Sequence, residues 1–306
     1  MDRRIKLRHI EAFAEIARHK SLKGAGEALG LTQPAISKIL KELEDILGAS
    51  LMSRGRGGVE LSAEGAVFLK GAEASLSALR QGFDGVTRLK AGGAGALSVG
   101  AMPSVAARVL PLASLKFREK EPETVLKVED GPHSFLMERL RAGALDLVVG
   151  RMGPPATMTG ISFTQLYSEQ VAFVVRTGHP LCGERRLAAL RDQFVIYPTE
   201  RAAIRPLVDR LFIAEGVAEL PHRIESVSGD YGRGLTRASE AVWIISQSVV
   251  AGDIASGLLE QLPIETGITA GPVGVMTRAE EDVSPSAQLF RAGLSEAVSE
   301  LGLSAL

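Results

Sequence analysis

The sequence predicts a multidomain protein of mixed α and β class, on three observations. The N-terminal stretch has helical periodicity interrupted at helix-turn-helix spacing, a long amphipathic helix follows, and from residue 96 strand-like and helix-like segments alternate. At 306 residues the chain is too long for one small domain and fits two or three. Hydrophobic residues make up 45% and charged residues 23%, the balance of an ordinary soluble globular chain. The opening Met-Asp-Arg-Arg-Ile-Lys leads into no apolar core, so no secretory signal is expected. The longest apolar runs are strand-length, as in 170–175, and none approaches the ~18 to 20 residues of a membrane span. The expectation is a cytoplasmic protein with no membrane partner.

The net charge of −1 hides an asymmetry. Residues 1–62 carry 11 Lys+Arg against 8 Asp+Glu, and the remaining residues carry 24 against 28. A basic head on an acidic body suggests that only the head meets a polyanion.

Leu7, Ile10, Phe13, Ile16 and Ala17 recur at helical steps and define a first helix. Ser21 is the expected N-cap of a short second helix with Leu22, Ala25, Ala28 and Leu29 inside, and Gly30 suits its C-terminus. Thr32 caps the third helix, Pro34 falls in its first turn, and Ile36, Ile39, Leu40, Leu43 and Leu47 form its buried side. Two helices joined so tightly, with the small Ala25 where they approach, describe a helix-turn-helix. The opposite side of the third helix carries Gln33, Ser37 and Lys41 on one stripe, with Pro34 and Lys38 beside it. Such donor-rich positions near a helix N-terminus are those that a recognition helix sets against base edges. Gln33 suits adenine bidentately, and Lys38 suits guanine or a phosphate. The segment from Leu51 to Leu61 reads as two short strands around a glycine-rich tip. Arg54 and Arg56 stand there, where a wing would lie along phosphates.

On these residues the chain resembles the LysR-type transcriptional regulators. The run from Ser21 to Glu44, with Thr32-Gln-Pro-Ala-Ile-Ser-Lys38 inside it, is similar to that family's helix-turn-helix almost position for position. Leu47 to Leu51, Arg54, Leu61-Ser62 and Glu64-Gly65 are similar to its wing and the start of its linker helix. Two departures stand out: Met52 replaces the usual Phe, and Gly24 and Gly26 flank Ala25, which should weaken the second helix locally. The resemblance implies a winged helix-turn-helix over 1–62, with Ser21, Thr32, Gln33, Pro34, Ser37, Lys38, Lys41, Arg54 and Arg56 toward double-stranded DNA. It also implies an inverted-repeat operator, self-association as a dimer of dimers, contact with RNA polymerase, and no enzymatic activity.

A linker helix is expected over 63–91. Leu69, Ala72, Leu76, Leu79, Phe83 and Val86 alternate three- and four-residue steps, which is a heptad seam. Packing on its own domain is the alternative, and the resemblance favours dimerisation through this helix. Ala91 to Gly95 reads as a hinge.

The region 95–306 alternates strands and helices. Strands are expected at 97–100, 125–128, 145–149, 171–175, 194–197, 223–227, 242–245 and 273–276, and helices run through Leu110 to Phe117, Leu136 to Leu140, 204–214 and 286–301. This rhythm predicts largely parallel sheets. The resemblance implies two lobes similar to periplasmic solute-binding proteins, lobe I over about 95–165 and 269–306 and lobe II over about 166–268, with an effector between them. Ligands of open α/β lobes bind beyond strand C-termini, at helix N-termini. That geometry makes candidates of Pro103, Ser104, Ser134, Arg151, Thr199, Arg205 and Ser228, with Pro132, His133 and Asp230 near them. The position of Ser104 commonly contacts effector in the family, and Arg151 and Arg205 could pair with a carboxylate. The stretch 237–250, with Ser239-Glu-Ala-Val-Trp243, is similar to the subgroup of protocatechuate-catabolism and galactose-binding-protein regulators. The expected effector is accordingly a carboxylate from aromatic catabolism, or a sugar.

Other function classes have less to stand on. A nucleophile pair of Cys182 with His179 lacks an oxyanion loop, and redox sensing lacks a second cysteine. The single cysteine excludes an internal disulfide and a cysteine-based zinc cluster, and the five histidines are scattered without ligand spacing, so no cofactor or metal is expected. A constitutive DNA-binding scaffold, whose C-terminal lobes only oligomerise, is the remaining alternative.

Overall fold

The structure is a computed structural model that describes residues 2–55, 58–90, 95–217, 220–279 and 283–303. Its contacts separate two compact units, one built on residues 1–90 and the other on most of 91–306.

The first unit opens with three helices, α1 (Leu7–His19), α2 (Leu22–Leu29) and α3 (Gln33–Leu47). Each boundary has a local cause. Ser21 Oγ accepts the Gly24 N–H at 3.2 Å and Thr32 Oγ1 accepts the Ala35 N–H at 3.4 Å, satisfying helix donors that would otherwise be open. Gly30 and Gly48 stop α2 and α3 in the left-handed region, at φ 65° and 67°. Phe13, Ile16, Ala25, Ile36 and Leu43 are fully buried between the helices, each large side chain contributing about 1.5 to 3 kcal/mol. The wing is an antiparallel pair, β1 (Met52–Gly55) and β2 (Gly58–Leu61), in the register Met52 to Leu61. Glu44 anchors its base, one carboxylate oxygen accepting the Leu51 and Met52 N–H groups at 2.7 and 3.3 Å. Met52, the departure from the family pattern, is buried in the same core.

The long helix α4 (Ala63–Lys90) divides the expected heptad seam in two. Ala72 and Leu76 are buried in the core of the helix-turn-helix, with Phe68 and Leu69 packed against it and Phe68 edge-on to Phe13 at 5.3 Å. Leu79, Phe83 and Val86 are exposed at 44%, 67% and 52%. The domain-packing alternative therefore describes the N-terminal half of the seam.

The second unit contains two five-stranded sheets. The first runs in the order β4 (Val125–Asp130), β3 (Ala96–Ala101), β5 (Leu147–Arg151), β12 (Gly271–Arg278), β6 (Ile161–Glu169). The second runs β11 (Leu259–Gln261), β7 (Val171–Arg176), β10 (Val242–Ser246), β8 (Val195–Tyr197), β9 (Arg223–Glu225). The expectation of largely parallel sheets needs correction. Only β4, β3 and β5, and likewise β9, β8 and β10, run parallel, while β12 and β7 are antiparallel to their neighbours. The chain passes from sheet to sheet at Gln170 and returns after β11, so the strands beside these crossings run against the βαβ strands. The outward crossing also lies past residue 165, because β6 pairs with β12 as far as Glu169 opposite Gly271.

Helices α5 (Pro103–Lys120), α6 (His133–Arg141), α7 (Arg205–Ala214), α8 (Gly229–Ala238), α9 (Gln247–Ala255) and α10 (Pro285–Glu300) cover the sheets. Leu97, Val99, Phe117 and Phe290 centre one core, and Phe173, Trp243 and Ile244 the other. Strands β6 and β11 and helices α8 and α9 are not among the elements expected from the sequence. Three glycines lower the helix propensity of α8, and α9 is short with no clear polar face. Among the described residues no helix is long and apolar enough to cross a membrane.

Candidate DNA-reading face and effector cleft

On α3 the buried side holds Ile36 and Leu43, which leaves Gln33, Pro34, Ser37, Lys38 and Lys41 exposed together on the other. Neither Lys38 nor Lys41 forms an ion pair with another described residue, so both keep their charge for an outside partner. The Ser21 and Thr32 hydroxyl oxygens serve as caps, as expected, and a hydroxyl that accepts through its oxygen still has an O–H to donate. Arg54 stands on β1 opposite Val59, and Arg56 lies outside the described residues. The wing is tied down at its far end, where the Val59 N–H donates to the Lys20 carbonyl at 3.0 Å.

Between the two sheets lies a cavity of about 880 Å³, at the C-terminal ends of the six parallel strands. Its walls include the N-termini of α5, α6, α8 and α9. Helix N-termini carry a partial positive charge that attracts acceptor atoms and anions, and at α9 the Glu169 carboxylate and the Gln170 carbonyl already take the Ser248 and Gln247 N–H groups. Pro103 and Ser104 follow β3, and Ser104 is buried at the wall. Arg151 ends β5, Thr199 follows β8, and Ser228 caps α8. These five expected residues come together.

Two expected residues do not. Ser134 is exposed and outside the wall, because one step along a helix turns a side chain by 100°, and its neighbour His133 faces the cavity instead. Arg205 points to a separate recess of about 420 Å³ on lobe II. There its guanidinium bonds Asp209 at 2.9 and 3.0 Å, the Pro198 carbonyl at 3.0 Å and Glu225 at 3.3 Å, and it stacks on Tyr197. A cation so fully engaged within the fold is not a free anchor in the cleft.

Arg151 is 5% exposed. Its Nη2 donates to the Glu169 carbonyl at 2.8 Å and its Nη1 to the Thr269 carbonyl at 3.3 Å, so it ties both crossings to lobe I. The Glu169 carboxylate stands 3.9 Å away, too far for a hydrogen bond, and its other oxygen accepts the Ser248 N–H at 2.8 Å. Burial lowers the Arg151 pKa from its ordinary value, and the Glu169 charge opposes that shift. Sequence reasoning missed four charged wall residues: Asp130, Arg201, Arg233 and Asp253. Asp253 grips Arg233 at 2.9 and 2.8 Å, and Asp230 adds a longer contact at 3.3 Å. Arg201 was within reach, since it sits in the same strand-end loop as Thr199.

His179 and Cys182 do not make a nucleophile pair. The His179 Nδ1 accepts the Leu181 N–H at 3.0 Å, and its Nε2 faces Glu240 at 3.0 Å. Burial, and then the neighbouring Glu260, push the Cys182 thiol pKa up. Among the described residues no three or more His, Cys, Asp or Glu side chains converge as a metal site would need.

A reading helix with an exposed polar face, joined to a two-lobed domain with a ligand-sized cleft, defines a ligand-responsive DNA-binding regulator. Residues 7–66 match the bacterial regulatory helix-turn-helix proteins of the lysR family, and residues 90–299 match the LysR substrate binding domain. The chain belongs to the LysR-type transcriptional regulators, a family that binds DNA and small-molecule effectors and is not enzymatic. It is 45% identical over 303 residues to the HTH-type transcriptional regulator PcaQ of Agrobacterium fabrum, covering 98% of this chain and 97% of that one. It is 33% identical to the uncharacterized HTH-type transcriptional regulator YdcI of Escherichia coli, covering 94% of each. GbpR of Azospirillum brasilense is 29% identical, over 96% of this chain and 87% of its own. In fold it resembles full-length BenM, with a TM-score of 0.58 at 23% identity over 99% of both chains. It also resembles full-length CbnR complexed with target DNA, with a TM-score of 0.58 at 24% identity over 96% and 100% of the two chains.

Proposed function

We propose that this regulator sets α3 into the major groove of an inverted-repeat operator and that a small carboxylate in the cleft controls its action. The exposed row of Gln33, Ser37, Lys38 and Lys41 carries the DNA-reading part. Gln33 and Ser37 read base edges, Ser21, Thr32 and Pro34 position the helix, and Lys38, Lys41, Arg54 and Arg56 meet guanine or phosphate. The N-termini of α5, α6 and α8 at the cleft support the carboxylate part. So do the PcaQ relative at 45% identity and the subgroup resemblance, whereas the sugar alternative leans on GbpR at 29%. Pro103, Ser104, Thr199 and Ser228 offer hydrogen bonds or shape, and Arg151 the charge-assisted contact. The assembly is a dimer of dimers acting in the cytoplasm. Effector binding shifts the lobes, changes the tetramer and its DNA bend, and so alters recruitment of RNA polymerase.

Gln33→Ala should cost about 1 to 3 kcal/mol at one base position, whereas Arg54→Ala should weaken binding to every sequence and flatten the salt dependence. Competition binding on specific and random duplexes over a salt series reads both. If the two variants behave alike, the division between reader and wing is wrong.

A further inference from the structure

We propose that Arg201 is a second anion anchor in the cleft, facing Arg151 from the other lobe, and that the effector is an open-chain dicarboxylate. The inference rests on the reading of the cleft as a carboxylate site and goes on to specify the carboxylate. The wall carries three arginines and three aspartates, Arg151, Arg201 and Arg233 with Asp130, Asp230 and Asp253. Arg233 is neutralised, since both Asp253 carboxylate oxygens accept its Nε–H and Asp230 contacts it as well. Arg151 has Glu169 near it, yet only two of its five N–H donors make hydrogen bonds to described residues, both to carbonyls. Arg201 is exposed, and its guanidinium makes no ion pair or hydrogen bond with any other described residue. One lobe therefore offers a buried guanidinium with donors to spare, and the other a guanidinium with no carboxylate partner among the described residues.

A ligand that satisfies both must carry acidic groups at its two ends. Asp130 and Asp230 are the opposing groups, both exposed, and the N-termini of α6 and α8 beside them compensate their charge. The apolar part of the wall is small and aliphatic, with Ala106, Ala202, Val227, Ile245 and Val249. None of the described lining residues is Phe, Tyr or Trp, the side chains on which arenes and sugar rings stack. A flexible aliphatic spacer suits this wall better than a ring does. Closing the lobes on a diacid would bring Arg201 onto the outer carboxylate, so that residue reports closure as well as affinity.

The test is titration calorimetry on the full-length protein with adipate, hexanoate, 6-aminohexanoate, benzoate and galactose. Adipate should bind the natural protein about tenfold tighter than hexanoate, the worth of one charge-assisted contact. Arg201→Gln should remove that difference by weakening adipate alone, and Arg201→Lys should restore part of it. The proposal fails if hexanoate or benzoate matches adipate, or if Arg201→Gln leaves adipate binding unchanged. Preference for 6-aminohexanoate would make a wall aspartate, Asp130 or Asp230, the second anchor and also overturn it, as would the absence of any adipate binding. Preference for galactose would instead sink the carboxylate reading as a whole.

Discussion

Gly26 lies in α2 beside the turn, where a Cβ would stand 2.7 Å from the Leu31 carbonyl oxygen. The turn of the helix-turn-helix thus closes against bare backbone, and the Leu31 N–H donates to the Gly26 carbonyl at 2.8 Å. What reads in the sequence as a weak helix is a requirement of close approach. Gly26→Ala should destabilise the reader by about 1 to 3 kcal/mol and reduce operator binding, as melting and DNA titration would measure. Gly24→Ala should be milder, because its Cβ would meet only the His19 side chain, at 3.1 Å. Glu42 shows a second local effect, joining α1 to α3 through Arg8 at 2.9 Å and His9 at 3.3 Å. The His9 hydrogen bond, with Arg8 beside it, holds the Glu42 carboxyl below its usual value. Its contribution is therefore complete above the ordinary glutamate range and is lost as pH falls through the lowered value. Melting curves from pH 6 down to about 3 should fall less steeply for Glu42→Gln than for the natural chain, and identical slopes would remove this tie from the account. At Cys182 the raised pKa leaves little thiolate at neutral pH. Iodoacetamide should label it slowly at pH 7 and faster as pH rises past 9, without loss of DNA binding.

Among the elements, α4 carries the most divided task. Its first turns complete the reader's core through Phe68, Ala72 and Leu76, and its later turns expose Leu79, Phe83 and Val86. A three-four spacing does not distinguish these two uses, since each needs the same stripe on the same helix. Substitution should separate them. Leu76→Asp should unfold the reader, because it buries a charge without a partner. Leu79→Asp should leave the reader folded and shift the assembly toward smaller species, read by light scattering with circular dichroism as the folding control. If Leu79→Asp keeps the full assembly mass, self-association does not run through the exposed half of the seam.

For the molecule as a whole, the two compact units predict separable responses. The single tryptophan, Trp243, is fully buried in lobe II, and at Gly232 an added Cβ would stand 2.3 Å from its ring. Tryptophan fluorescence therefore follows the effector domain alone. An effector should raise the fluorescence-detected melting temperature by an amount set by RT ln(1+[L]/Kd) and move the helical signal of the reader less. Gly232→Val should shift the emission to the red and lower that transition.

The sequence alone determined the helix-turn-helix, its capping residues, the exposed row on α3, the wing and the alternating C-terminal elements. All of these follow from local periodicity, helix ends and turn chemistry, which neighbours in the chain decide. Only the tertiary structure decided that β7 and β12 run antiparallel, that Arg205 belongs to a structural network on lobe II, and that His133 rather than Ser134 faces the cleft. It also decided that Arg201 pairs with no other described residue at the cleft wall while Arg233 is neutralised by Asp253, some 20 residues further along the chain. A guanidinium reads the same in any sequence, and whether its charge is spent inside the fold depends on carboxylates and carbonyls brought to it from distant segments.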